Sequence, residues 1–163
     1  MCLEQAADVT IQTALLERRF LTGARPLAAA LDAALADSID PVAFMAAKTV
    51  EMQRRHARFQ DTPYSLEPNT KESPGGLRDL QLIAWVARAA GLGKSWLGLR
   101  EAGLLTAEEL QMIRHNERQL QADRAALRIV ADRREDRLVF DVQGSVAALL
   151  GYSDRPDRQA SSS

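Results

Sequence analysis

Cysteine is all but missing from this sequence. Cys2 is the only one, so no internal disulfide can form and no cysteine cluster can hold zinc. Charge of one sign is lacking too: a formal net charge of −1 offers no overall basic field to nucleic acid. No apolar run approaches the roughly 20 residues of a membrane span. The N-terminus lacks the basic, then apolar, then small-residue succession of a signal peptide. These absences lead us to expect a cytoplasmic protein with neither nucleic acid nor membrane as a partner. Aromatic residues make up only 5% of the chain, and no internal repeat is visible. What is plentiful is alanine, leucine, arginine, glutamate and glutamine, all good helix formers. With 46% apolar and 26% charged residues in a length of 163, the composition is that of a globular protein with one real core. The expected fold class is mainly α.

Residues Ala14–Leu21 alternate weakly and fit either a strand or a helix, and Leu3–Ala7 fits a helix end. Gly23 stops this segment. The "RPLAAALDAALA" run then places Leu27, Ala30, Leu31, Ala34 and Leu35 on one helical face, with Pro26 suited to the first turn. Asp40-Pro41 reads as an N-cap and first residue of a helix reaching about Phe59, with Val42, Met45, Thr49, Met52 and Phe59 toward its buried side. Its basic end, Arg54, Arg55, His56 and Arg58, suits the helix dipole and reads chiefly as a solvated helix end; Lys48 is also placed on the surface. A long loop over Gln60–Gly76 carries three prolines, Tyr64 and Leu66. Further helices are expected from Leu77 to Ala90, around Trp96, and from the Thr106–Glu109 capping box onward. A last short helix, capped by Asp141, should end at Gly151, followed by a loose polar tail. His56 and His115 read as helix-surface residues.

The stretch "KESPGGLRD" is the least ordinary. Gly75-Gly76 gives backbone freedom directly before a helix whose first N–H groups lack internal partners. Lys71 and Arg78 add positive charge on either side. Two readings stand side by side: part of a nucleotide-phosphate site, or a Pro-Gly-Gly turn with Arg78 and Asp79 in surface salt bridges. The stretch has neither the P-loop order nor the dinucleotide-binding fingerprint.

The wider segment "YSLEPNTKESPGGLRDLQLIAWVAR" closely resembles a signature of the bifunctional uridylyltransferase/uridylyl-removing enzymes, which modify the nitrogen-signalling protein PII. The related glutamine synthetase adenylyltransferases have a similar Lys…Gly-Gly-Ile-Arg-Glu element. Two more blocks, "ADVTIQTALLERRFLTG" and "RREDRLVFDVQGSVAALLGY", resemble the same family in the same order.

The resemblance implies an internal piece of such an enzyme: residues 1–23 as the remnant of an α/β nucleotidyltransferase core, 24–152 as the helical domain after it, and 153–163 as a tail. It implies UTP and PII as partners and Mg2+ as the cofactor of the intact enzyme. Glu17, in an acid-x-Arg pattern with Arg19, matches the third metal-binding acid, which the family carries on a strand. The Asp-x-Asp that would supply the other two occurs nowhere, and neither histidine is followed by the aspartate of the hydrolase domain. Lys71 and Arg78 become candidates for triphosphate contacts, with Gly75, Gly76 and Asp79 beside them. Asp79 would hold Arg78 or form an inter-helix pair. Glu67 and Asn69 are weaker candidates that would shape the loop. The chain alone is expected to be catalytically inactive. The alternatives are a standalone helical module binding a phosphate or a partner, or a degenerate product without function.

Overall fold

The computed structural model describes residues 8–59, 64–93 and 95–152. The fold is mainly α. Helices α1 (Val9–Leu16), α2 (Arg25–Ser38), α3 (Pro41–Ala57), α4 (Leu77–Ala89), α5 (Trp96–Glu101), α6 (Ala107–Ala131) and α7 (Phe140–Leu149) follow one another in the described residues. The only extended pairing among those residues is an isolated antiparallel bridge between Asn69 and Arg137. Residues Leu3–Ala7 and the polar tail lie outside the described residues.

Local chemistry fixes most helix starts. Asp40 accepts hydrogen bonds from the N–H groups of Val42 and Ala43, with Pro41 in the first turn of α3. Thr106 and Glu109 form the expected reciprocal capping box on α6. Helix α7 departs from expectation. Its N-cap is Val139, and Asp141 sits in the first turn without capping. The cap comes instead from far along the chain: the Phe140 N–H donates to the Glu67 carboxylate at 3.0 Å. A long-range donor–acceptor match of this kind leaves no local sequence signal.

Two apolar clusters hold the helices together. The first joins Ile39 and Phe44 to Trp85 and Ala89, with Val9, Leu16, Leu82 and Val86 packed around them. The second joins Ala126 and Leu127 of α6 to Val146 of α7, with Val130, Leu138, Val142 and Leu150 around them. Helix α1 packs on α3 and α4, α4 packs on α6, and α5 packs on α6. The N-terminal segment is therefore built into the helical assembly. Of the Ala14–Leu21 segment, whose sequence fits either a strand or a helix, Ala14–Leu16 is helix and Glu17–Leu21 is neither.

The buried stripe of α3 differs from the expected one. Phe44 and Lys48 are buried, whereas Val42 is 70% exposed and Met45 is 47% exposed. Alanine neighbours make several faces of this helix almost equally apolar, so packing on Trp85 decides the rotation. A lysine on the stripe defeats any reading by hydropathy. On α2 only Leu35 is buried, while Leu27 and Leu31 stay exposed.

Leu127 has no accessible surface and Leu27 is largely exposed. Leu127→Ala should therefore cost about 2–5 kcal/mol of unfolding free energy, and Leu27→Ala no more than about 0.5 kcal/mol. Urea denaturation of the two variants checks this. Equal costs would mean that α6 and α7 do not share the core described.

Candidate functional site

The site is a turn, residues 69–79, clamped onto the end of α3. Asn69 begins it. Its side-chain oxygen accepts from the N–H groups of Lys71 (3.0 Å) and Glu72 (2.8 Å), an Asx-type turn. The Asn69 N–H donates to the Ser73 hydroxyl at 2.9 Å. Asn69 and Glu67 thus shape the loop. Thr70 and Ser73 are buried.

The two glycines have separate reasons to be glycine. Gly75 has φ +79°, in the left-handed region where a side chain is strained. Gly76 has an ordinary φ, but a Cβ there would lie 2.8 Å from the Lys71 carbonyl oxygen and 2.9 Å from that of Ser73. The chain folds back on itself at this point, and only a hydrogen atom fits.

That fold-back engages the backbone donors at the start of α4. The N–H of Gly76 donates to Ser73 O (2.8 Å), that of Leu77 to Thr70 O (3.1 Å) and that of Arg78 to Lys71 O (2.9 Å). The Gly75 N–H donates to the Asp79 carboxylate at 2.7 Å. The partnerless N–H groups expected from the sequence are therefore satisfied from within. Whatever this turn binds, it binds through side chains.

Asp79 is an inter-helix pair. Its carboxylate accepts from Arg55 Nη2 (2.6 Å) and lies 3.0 Å from His56 Nε2. Burial alone would raise its pKa. The hydrogen bonds from Arg55, the Gly75 N–H and His56 outweigh burial, and the pKa is held below the usual aspartate value. Arg55 also donates to the Glu72 carbonyl at 3.0 Å. Arg55 and His56, expected on the surface, are partly buried here, while Arg54 and His115 are exposed as expected.

Glu72 gathers the two cations singled out in the sequence. Lys71 Nζ lies 3.0 Å and Arg78 Nη2 3.3 Å from its carboxylate. Burial raises the Glu72 pKa less than these two cations lower it, so it too lies below its ordinary value. Arg78 is further fixed by Gln81 (3.0 Å) and by the Trp85 ring, 5.4 Å from its guanidinium carbon.

Trp85 also reaches Glu17: its indole N–H donates to Glu17 Oε1 at 2.8 Å. Glu17 is the C-cap residue of α1, not a strand residue. The run preceding it closes a helical turn, with the Glu17 N–H bonded to Thr13 O, and no partner strand exists among the described residues. Glu17 lines a cleft of about 350 Å3 with Arg88, Arg114 and Glu117. Arg78 lines a different cleft, of about 460 Å3, between α3 and α4. Among the described residues no three His, Cys, Asp or Glu side chains come together to hold a metal ion.

The sequence reading missed Lys48 and Glu72. Lys48 is 4% exposed, with Nζ over the Trp85 ring (5.0 Å) and the Phe44 ring (5.7 Å) and paired with Glu51 at 2.8 Å. Its i, i+4 spacing from Phe44 was the available signal. For Glu72, the signal was an acid lying between Lys71 and Arg78.

Comparison with known proteins agrees with the motif resemblance. A family model described as GlnD PII-uridylyltransferase matches residues 43–163. The bifunctional uridylyltransferase/uridylyl-removing enzyme of Cupriavidus pinatubonensis is 55% identical over 161 residues, covering 98% of this chain and 18% of that protein. The enzyme of the same name from Bordetella avium is 52% identical over 158 residues, covering 97% and 18%. That from Burkholderia thailandensis is 52% identical over 161 residues, covering 98% and 19%. The chain thus spans under a fifth of the length of these relatives. No solved structure matches it.

The depressed Asp79 pKa fixes a pH dependence. A carboxylate with a lowered folded-state pKa contributes stability that is present above its unfolded value, 3.8, and lost as pH falls through the folded value. Asp79→Asn should therefore destabilise the protein at pH 7, by about 2–3 kcal/mol. The gap to wild type should shrink as pH drops below the unfolded value. Urea midpoints at neutral and acid pH test this; a gap that stays constant would mean that folding does not shift the Asp79 pKa. Gly76→Ala should be destabilising as well, because the Lys71 and Ser73 carbonyls are backbone and have little freedom to move away. Thermal denaturation of that variant would show it.

Proposed function

The chain belongs to the GlnD PII-uridylyltransferase family, and from that premise we propose that it forms the helical wall beside the nucleotide in an enzyme that passes UMP from UTP to a tyrosine of the nitrogen-regulatory protein PII. The observation that carries this reading is the fixation of Arg78. A guanidinium held by Glu72, Gln81 and Trp85 on the rim of a cleft is already oriented before any ligand arrives. Arginine suits phosphate because its planar fork donates two parallel hydrogen bonds. Attack on the α-phosphate of UTP leaves pyrophosphate, and cations fixed beside the β- and γ-phosphates stabilise the charge that develops there. Lys71, on the same Glu72 carboxylate, is the second cation of the turn. UTP and PII would meet it in the cytoplasm.

Mg2+ would neutralise phosphate charge in such a reaction when bound. The described residues do not assemble a site for it. Glu17 is engaged with Trp85, and although Glu117 lines the same cleft, no set of three His, Cys, Asp or Glu side chains gathers there among the described residues. Glu17 would serve it only together with acids that the described residues do not bring to it, and on that ground the chain alone is expected to transfer nothing.

Titration calorimetry with UTP tests the reading. Arg78→Ala should weaken UTP binding roughly tenfold or more, the loss of a good charge-assisted pair, and Lys71→Ala should weaken it less. In a transfer assay with labelled UTP, Mg2+ and PII, the chain alone should leave PII unlabelled. UTP affinity indifferent to Arg78→Ala, or labelled PII from this chain alone, would overturn the proposal.

A further inference from the structure

The cleft between α3 and α4 holds more positive charge than its own carboxylates answer. Lys48, Arg54, Arg55 and Arg58 reach it from α3, and Arg78 reaches it from α4, against Glu51 and Glu72. Three of these cations have partners: Lys48 has Glu51, Arg55 has Asp79, and Arg78 has Glu72. Arg54 and Arg58 have no ion pair among the described residues, and both are exposed. Met52, Leu82 and Trp85 supply an apolar wall to the same cleft. A helix end alone explains basic residues in a last turn. It does not explain why they converge with Arg78 from another helix, or why a lysine only 4% exposed lies at the same concavity. At the floor the Lys48 side chain lies over the Phe44 and Trp85 rings and is paired with Glu51.

We infer that this cleft is a binding site for a polyphosphate anion, in which Arg54 and Arg58, without ion pairs among the described residues, are the binding cations. It deepens the nucleotide reading, and rests on that reading only for the identity of the nucleotide; the anion chemistry rests on the cleft. The backbone N–H groups at the start of α4 are occupied, so the anion must be held by side chains, and of the cleft cations Arg54 and Arg58 are those without an ion pair among the described residues.

The probe is inorganic tripolyphosphate, titrated into the full 163-residue chain alongside UTP. Trp85 fluorescence reports on the cleft, and calorimetry reports binding independently of any fluorophore. We expect saturable tripolyphosphate binding that weakens roughly tenfold in Arg54→Ala and again in Arg58→Ala, and that weakens with added salt. Arg100→Ala, on the exposed face of α5, should leave it unchanged. Both cleft substitutions are at exposed positions, so the fold is not at stake, and far-ultraviolet circular dichroism confirms that. No saturation up to tripolyphosphate concentrations of order 1 mM would overturn the inference. So would equal weakening by Arg100→Ala. If UTP binding needs Arg78 while neither UTP nor tripolyphosphate binding responds to Arg54→Ala or Arg58→Ala, the inference fails while the nucleotide reading stands. If tripolyphosphate binds through Arg54 and Arg58 but UTP does not bind, the anion site stands and the nucleotide reading fails.

Discussion

The carboxylate of Asp79 decides where the Gly-Gly turn meets the rest of the molecule. It lies 24 residues from Arg55 in sequence and 2.6 Å from it in space. Charge-assisted hydrogen bonds of this kind are roughly twice as strong as neutral ones, and a partly buried pair is costly to break because it leaves a charge without a partner. Two further donors, His56 and the Gly75 N–H, fill the remaining capacity of the carboxylate. Arg55 in turn fixes the Glu72 carbonyl, and the Glu72 carboxylate collects Lys71 and Arg78. The position of both cations follows from one aspartate on α4 and one arginine on α3.

A second carboxylate holds the other end of the turn. Asp136 is gripped by Arg124 (2.6 Å) and Arg128 (2.8 Å), four residues apart on one face of α6. The hydrogen bond from Arg124 is the main reason its pKa lies below the ordinary aspartate value, despite some burial. The backbone carbonyl of Asp136 accepts from the Thr70 N–H at 2.8 Å, and the Leu138 N–H donates to Pro68 O at 2.9 Å. Arg137 pairs with Glu67 at 2.9 Å. The turn is strung between the two apolar clusters, Phe44 with Trp85 on one side and Leu127 with Val146 on the other. This accounts for the pairing of the two motif blocks: the second, "RREDRL", is largely the anchor of the first.

Much of the fold could be read from the sequence because helices announce their ends locally. Asp40-Pro41, the Thr106–Glu109 box and the glycines after Ala90 are short-range signals, and each lies at or near a helix boundary. What could not be read is set by contacts across the chain. The rotation of α3 depends on Trp85, and the cap of α7 on Glu67. The candidate site divides in the same way. Lys71, Gly75, Gly76, Arg78 and Asp79 stand out by type and spacing, and the structure puts them in one turn. Arg55 and His56, the partners of Asp79, and Lys48, which shares the Trp85 ring with Arg78, resembled a solvated helix surface, since nothing in a helical pattern reveals that an aspartate or an aromatic ring lies opposite. Glu17 matches an acid-x-Arg pattern that the family carries on a strand, yet here it is the C-cap of α1, and no strand lies beside it among the described residues.

The glycines carry the final step. A Gly-Gly before a helix suggests a cradle for an anion, since the missing side chains would let a phosphate approach the backbone. Here the same absence lets the chain approach itself: the Lys71 and Ser73 carbonyls occupy the space a Cβ would need. The turn spends its backbone donors on its own rigidity, and rigidity is what it passes on to Arg78. That rigidity continues through Trp85, whose ring lies beside Arg78 and Lys48 while its indole N–H is bound to Glu17. One side chain thus fixes the spacing between the acid at the end of α1 and the cations of the α3–α4 cleft. A displacement of α4 that disturbed one would disturb the other, so the two clefts cannot be tuned independently while Trp85 stands between them.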